Sequence, residues 1–229
     1  MMNANGAIAA DESLRDRKVP THELTYARLR DMILYGQLAP GQPVTIQGLI
    51  QDLDAGMTPV REAIRRLTAE GALLPQGNRR VAVPAMTLAM LEQVAFARLS
   101  LEPKLAALAA AHITPELIAK LERIDAAVNE AIGAGNVQGY LAANHSFHFT
   151  LYEASDAPVL LDIVRGLWLR AGPSLRAVIG RYGQQLSPDR HSDALQAMRQ
   201  GDAAALAQAM ERDIQQGVDH IRQALTEVN

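Results

Sequence analysis

The hydrophobic positions in the first third of the chain follow a helical period and then a strand period. A first helix is predicted from about Thr21 to Tyr35, where Gly36 ends it. A second, shorter helix follows Thr45, whose hydroxyl is suited to cap it, because apolar side chains recur at helical spacing up to Leu53. Two helices with a tight turn after the second are therefore expected before residue 57.

A third helix and a basic hairpin come next. Thr58 is predicted to be the N-cap, and Pro59 to occupy the first helical position, where a missing N–H costs nothing. Two short strands, at 73–74 and 81–83, enclose the tip 77–80, which contains Asn78, Arg79 and Arg80. This order is typical of a winged helix-turn-helix. Its arginine-bearing helix fits a DNA major groove, and its hairpin suits the phosphate backbone or the minor groove. The alternative is a small α+β domain with a solvated arginine face.

Every segment after residue 86 has the spacing of a helix. The predicted helices cover approximately residues 87–112, 115–133, 136–155, 159–180, 189–199 and 202–227. Gly172-Pro173 is expected to interrupt or bend the fourth, because proline removes a backbone donor, and 183–188 to form a loop. Short loops between many helices favour an antiparallel all-α bundle. The predicted fold is mainly α, with a flexible tail at 1–20, a winged domain at 21–85 and the bundle at 86–229.

Composition narrows the cellular setting. Apolar residues make up 48% of the 229 residues, cysteine is absent, and no apolar run approaches the length of a membrane span. These features predict a cytoplasmic protein without disulfides, thiolate chemistry or a membrane partner. The net charge is −3, yet residues 57–83 carry five arginines against two glutamates. DNA binding would therefore depend on a local basic patch rather than on the charge of the whole chain.

Four polar residues lie on helix faces that should be apolar: Asn144, His148, His191 and Asp213. A lone histidine in such a place is usually a hydrogen-bonded core residue. Two imidazoles, a carboxylate and an amide oxygen that converge from three helices would instead suit a divalent metal with open positions. Arg98 and Glu102 lie four apart on another helix, which is compatible with a buried ion pair or with an arginine that receives a carboxylate ligand.

The N-terminal pattern resembles the DNA-binding domain of GntR-family transcription regulators. The resemblance rests on Tyr26-Ala-Arg-Leu-Arg, on Thr58-Pro-Val-Arg-Glu-Ala-Ile-Arg-Arg-Leu67 and on Glu70-Gly71. It implies DNA contacts at Thr58, Pro59, Arg61, Arg65, Asn78, Arg79 and Arg80. One departure is that Gly56 and Met57 stand where the family commonly has a serine and an arginine, so one phosphate or base contact is missing.

Residues 87–229 are similar to the helical FCD domain that follows the winged domain in one large subfamily. The matching segments are Arg98-Leu-Ser-Leu-Glu102, Asn144-His-Ser-Phe-His148 and His191. The resemblance implies a metal site of one aspartate and three histidines. Here Asn144 replaces the aspartate and Asp213 replaces the last histidine, a double change that either preserves the site or marks its loss. The implied metal is zinc, nickel or manganese, and the implied effector is a small carboxylate at Arg98, Asn144, His148 and His191.

Three functions are compatible with these residues. The first is a metabolite-responsive transcription regulator, expected to be a repressor, that binds a double-stranded DNA operator as a homodimer. The second is a metal-dependent hydrolase or lyase built on the bundle with His148, His191 and Asp213. The third is a DNA-binding activator or structural protein without an effector. The sequence contains no phosphate loop or histidine metalloprotease signature, which favours a non-enzyme.

Overall fold

The computed structural model describes residues 21–182 and 190–227. The predicted tail at 1–20 and the predicted loop at 183–188 lie outside this part of the chain. The structure is mostly helical and has one small sheet among its N-terminal elements, as the sequence predicts. The N-terminal elements are α1 (Thr21–Leu34), β1 (Val44–Thr45), α2 (Ile46–Asp52), α3 (Met57–Ala69), β2 (Leu74–Gln76) and β3 (Arg80–Ala82).

Six further helices follow, and each starts within two residues of its predicted start. They are α4 (Leu88–Ala109), extended by a 3₁₀ turn over Ala110–His112, α5 (Pro115–Gly133), α6 (Val137–Glu153), α7 (Pro158–Tyr182), α8 (His191–Gln200) and α9 (Ala203–Thr226). Side-chain oxygens accept a backbone N–H three residues on at Thr45, Thr87, Thr114, Asn136 and Asp202. Each cap satisfies a donor that the first turn of a helix leaves unpaired.

The start of α3 differs from the prediction. Gly56, in extended conformation, is the N-cap, and the helix begins at Met57. Thr58 is therefore a helical residue and not the cap, and Pro59 comes third in the helix. Proline is still tolerated there, because the first backbone N–H groups of a helix have no partner within it.

The sheet has three strands rather than the predicted two, in the order β1-β3-β2 with antiparallel pairing. Val44 pairs with Val81, so β1, which directly precedes α2, lies beside the hairpin strand β3. Asn78 and Arg79 both have positive φ, at 55° and 58°, which turns the chain tightly at the tip. The first hairpin strand covers Leu74–Gln76 instead of the predicted 73–74, and the second covers Arg80–Ala82 instead of 81–83.

Helix α7 continues through Gly172-Pro173, where the sequence predicted a break or bend. Packing on both sides compensates for the one lost hydrogen bond, because Trp168, Ala171 and Leu175 are all buried. A Cβ at Gly172 would lie 3.4 Å from the carbonyl oxygen of Leu34, so the glycine lets α7 approach the end of α1 closely. The winged domain and the bundle are thereby in direct contact.

One large apolar cluster runs from the winged domain into the bundle, and a second one lies between α4 and α9. Leu29 and Leu67 belong to the first cluster at the N-terminal end, and Phe147 and Leu206 belong to it within the bundle. Within the described residues, each helix is too short or too polar to cross a membrane.

Candidate functional site

Helix α3 presents an exposed row at one side of the winged domain. Met57, Arg61 and Arg65 are all exposed and follow each other at intervals of four residues, so they share one face. The opposite face is buried in the core and consists of Val60, Ala63, Ile64 and Leu67. Because one face of α3 is buried, its opposite face is exposed along the length of the helix.

The three arginines of α3 differ in their partners. Glu62 accepts two hydrogen bonds from Arg65, at 2.9 and 2.6 Å, and Glu23 accepts one from Arg66 at 2.8 Å. Arg61 forms no ion pair within the part of the chain that the structure describes. A guanidinium without an internal carboxylate is the one most available to a base edge or a phosphate.

The C-terminal end of α3 is held by the bundle. Nη2 of Arg170, on α7, donates to the backbone carbonyl of Glu70 at 3.1 Å. Tyr26 donates to the carboxylate of the same Glu70 at 2.9 Å. Gly71 follows with a φ of +75°, and a Cβ there would lie 2.7 Å from Nη2 of Arg170. This contact joins the end of the arginine-bearing helix to the helical domain.

In the bundle, His148, His191 and Asp213 come together from α6, α8 and α9. One potential ligand atom of each lies within 4.8 Å of the others. Nε2 of His148 is 3.1 Å from Oδ2 of Asp213, and both imidazoles are buried. Two ligands on a tetrahedral zinc are about 3.3 Å apart, given bond lengths of about 2.0 Å. The separation therefore fits two neighbouring ligands of one ion.

The charge of Asp213 is stabilised although the residue is largely buried. Burial by itself raises the pKa of Asp213, but the hydrogen bond and the charge that a protonated His148 supplies outweigh it and hold the pKa at about 2. The backbone N–H of Arg190 also points to this carboxylate, at 3.4 Å. An anionic Asp213 beside two imidazoles is a suitable environment for a cation.

The ring orientation of His148 is fixed by a buried network. Tyr152 donates its only hydroxyl hydrogen to Glu102 at 2.9 Å, and Nδ1 of His148 lies 3.0 Å from that hydroxyl oxygen. Since the hydroxyl can only accept from His148, the imidazole carries a proton on Nδ1. In the neutral ring Nε2 then has a lone pair, which faces Asp213.

His191 is oriented in the same way by a carboxylate. Its Nδ1 lies 3.1 Å from Oδ1 of Asp125 on α5, and its ring stacks on Phe147 with 3.7 Å between centroids. A proton on Nδ1, donated to Asp125, leaves Nε2 with the lone pair. Metal-bound histidines characteristically donate the other N–H to a carboxylate or similar group. Both imidazoles of the cluster therefore have the support that such ligands require.

Arg98 forms a buried ion pair with Glu102, which is one of the two alternatives that the sequence left open. Nε of Arg98 donates to Glu102 at 2.5 Å, and Glu102 is fully buried. Nε1 of Trp168 donates to the same carboxylate at 3.2 Å, and the guanidinium of Arg98 lies over the indole ring. Glu102 thus connects Arg98, Trp168 and, through Tyr152, His148.

The structure brings together most of the bundle residues selected from the sequence. Asn144 is buried one helical turn before His148 on α6. Tyr152 and Asp125, which orient the two imidazoles, were missed. Tyr152 lies four residues after His148, and this spacing was the available signal. Asp125 gave no signal, because its contact with His191 depends on how α5 packs against α8.

Two family models match the chain. Residues 21–83 match "Bacterial regulatory proteins, gntR family", and residues 93–216 match "FCD domain".

Relatives of the same kind are found among known proteins. The HTH-type transcriptional regulator McbR of Escherichia coli is 30% identical over 147 residues, which are 64% of this chain and 66% of McbR. The HTH-type transcriptional repressor RspR of E. coli is 24% identical over 89% of this chain and 90% of that protein. A solved structure of E. coli McbR/YncC has a TM-score of 0.85 at 24% identity, and the match covers 93% of this chain and all of that one.

Proposed function

We propose that this chain, which belongs to the gntR family of bacterial regulatory proteins and carries an FCD domain, is a repressor controlled by a small carboxylate that binds through a metal ion. It is a DNA-binding transcription regulator. In the proposal it acts in the cytoplasm as a homodimer, and each winged domain occupies one half-site of an operator. The observation that carries the sensing part is the cluster of His148, His191 and Asp213.

The lone pair of a neutral His148 favours a cation at this site. Tyr152 keeps a proton on Nδ1, so when His148 is neutral, Nε2 and Oδ2 of Asp213 are two acceptors only 3.1 Å apart. Two acceptors at this distance repel each other unless a proton or a metal ion lies between them. A zinc, nickel or manganese ion would be held by His148, His191 and Asp213, with the amide oxygen of Asn144 as a fourth ligand. Open positions on the ion would supply the binding site for a carboxylate.

The effector is proposed to be anionic because Arg98 lies beside the same site. Two of its nitrogens already donate to Glu102, at 2.5 and 3.3 Å. A guanidinium has five N–H donors, and those not used by Glu102 remain for a ligand carboxylate. Glu102 would then act as the group that positions Arg98, and Arg98 would contact the effector together with Asn144, His148 and His191.

Helix α7 provides a direct connection from this site to the end of α3. Trp168 packs against His148, with 4.9 Å between ring centroids, and donates to Glu102. Two residues further along the same helix, Arg170 donates to Glu70 at the end of α3. A shift of α7 on effector binding would therefore move the helix that reads DNA. Allosteric coupling of this kind requires two binding sites and one structural element whose position is influenced by binding at both of them.

The proposed DNA contacts are those of the exposed face of α3 and the wing. They are Thr58, Pro59, Arg61, Arg65, Asn78, Arg79 and Arg80. Arg61 is expected to contribute most, because the guanidinium of Arg65 is engaged by Glu62. The name of RspR, a repressor, supports the proposed sign of regulation. The relatives are transcription regulators, so the hydrolase or lyase interpretation has no support from them.

A mobility-shift assay with DNA upstream of the protein's own gene tests the DNA contacts. Arg61→Ala should weaken binding by about 1–3 kcal/mol, and Arg65→Ala should weaken it less. Equal binding by Arg61→Ala and the parent protein would contradict the assignment. Light scattering on the same complex should give two chains per duplex, and a single chain per duplex would contradict the homodimer.

The sensing part is tested on the same DNA. Metal-free protein is compared with zinc-loaded protein, each with and without citrate as a carboxylate probe. Occupancy should change DNA affinity by roughly 5–150-fold, the usual range for allosteric coupling. His148→Ala should show no such change. If all four conditions give the same affinity while calorimetry demonstrates that zinc and citrate are bound, regulation through this site is refuted.

A further inference from the structure

We propose that Met57 reads the methyl group of a thymine, so that each half-site of the operator has a thymine at one fixed position. The inference rests on the proposed binding of an operator and goes beyond it, because it assigns one base preference to one side chain. Met57 is the first residue of α3 and is 44% exposed.

The position of Met57 favours a contact with bases. In helix-turn-helix proteins the N-terminal residues of the second helix of the motif, here α3, reach the base edges. The other end of α3 is attached to the bundle through Arg170 and Glu70. Since a helix of 13 residues is about 20 Å long, Met57 lies far from that attachment. Gly56, which precedes it, has no side chain that could shield Met57 from DNA.

The chemistry of the exposed row singles out Met57. Its neighbours on this face, Arg61 and Arg65, are cationic, and Met57 is its large apolar member. Within the described residues it belongs to neither apolar cluster, so its exposure is not needed for the core. In the major groove the apolar group that a base edge offers is the C5-methyl of thymine. An unbranched, flexible side chain adapts well to such a contact.

The test begins with duplexes that the full-length protein enriches from a random 30-base-pair pool. Each thymine of the enriched half-site is then replaced by deoxyuridine, which lacks only the methyl group. Affinity is measured by fluorescence anisotropy. One replacement should weaken binding about fourfold, which corresponds to about 0.8 kcal/mol for one buried carbon. The same replacement should leave the affinity of Met57→Ala unchanged.

A matched variant controls for loss of exposed apolar surface. Leu24, on α1, is 45% exposed, and Leu24→Ala should keep both the thymine preference and the deoxyuridine effect. The inference is overturned if deoxyuridine has no effect at any thymine, or if Met57→Ala enriches the same base at every position as the parent. Enrichment of no sequence at all by the parent would instead refute operator binding, and the inference with it.

Discussion

Replacing Glu102 by alanine should destabilise the bundle strongly. The carboxylate is fully buried, and it accepts hydrogen bonds from Arg98, Tyr152 and Trp168. Its removal leaves the guanidinium of Arg98, itself only 5% exposed, without a counter-ion. Breaking a buried pair from one side typically costs about 3–5 kcal/mol, because a charge stays buried without compensation. We expect the free energy of unfolding to fall by about that amount.

Urea unfolding followed by tryptophan fluorescence measures this effect. Trp168 is the single tryptophan of the chain and donates directly to Glu102, so its emission reports on the affected site. Glu122→Ala is the matched control, because Glu122 accepts from Arg199 at 2.5 Å on the surface, where it is 43% exposed. An exposed pair contributes only about 0–1 kcal/mol.

The double variant Arg98→Met/Glu102→Leu removes both charges and should recover much of the lost stability. Equal destabilisation by Glu102→Ala and Glu122→Ala would refute the view that Glu102 neutralises a buried charge. It would also remove the argument that Arg98 is held in place for an effector.

Two further predictions concern Gly71 and His145. Gly71→Ala should destabilise the protein more than Gly135→Ala in thermal unfolding. Both glycines have positive φ, but only at Gly71 would a Cβ displace Arg170 from its hydrogen bond with Glu70; equal losses would show that this hydrogen bond adds nothing to stability. Burial, with smaller effects of His148 and Arg30, lowers the pKa of His145 to about 3. The unfolded chain therefore takes up a proton that the folded one does not, and stability should fall as pH drops from about 6.5 towards 3, by at most about 1.4 kcal/mol per pH unit. His145→Phe should flatten that decline, and parallel stability profiles for variant and parent would contradict it.

The sequence predicted those parts of the fold that depend on local chemistry. Thr45 caps α2 as expected, because a cap needs only a side-chain oxygen three residues before a free N–H. The same reasoning was wrong at Thr58, since Gly56 takes the extended cap conformation after the turn at Asp54, whose φ is 46°. Of the interruption or bend expected at Gly172-Pro173, the interruption does not occur, because packing on α7 outweighs one lost hydrogen bond.

The site was predictable only as far as helical spacing reaches. His148 and Asp213 stood out because polar residues occurred on apolar faces. Asp125 is an ordinary polar residue in the sequence, and its contact with His191 follows from the packing of two helices that are far apart in the chain. The engagement of Arg98 by Glu102 was one of two alternatives that spacing left open, and the structure shows it formed.

Calorimetric titration of chelator-treated, full-length protein with zinc, nickel and manganese tests the sensing proposal most directly. We expect at least one ion to bind at micromolar concentration, with an affinity that weakens as pH falls through the histidine range, since only neutral imidazole is a ligand. His148→Ala should lose this binding while its metal-free form remains helical by circular dichroism. Failure of all three ions to bind to folded protein would contradict the account and would identify the cluster as a remnant of a metal site.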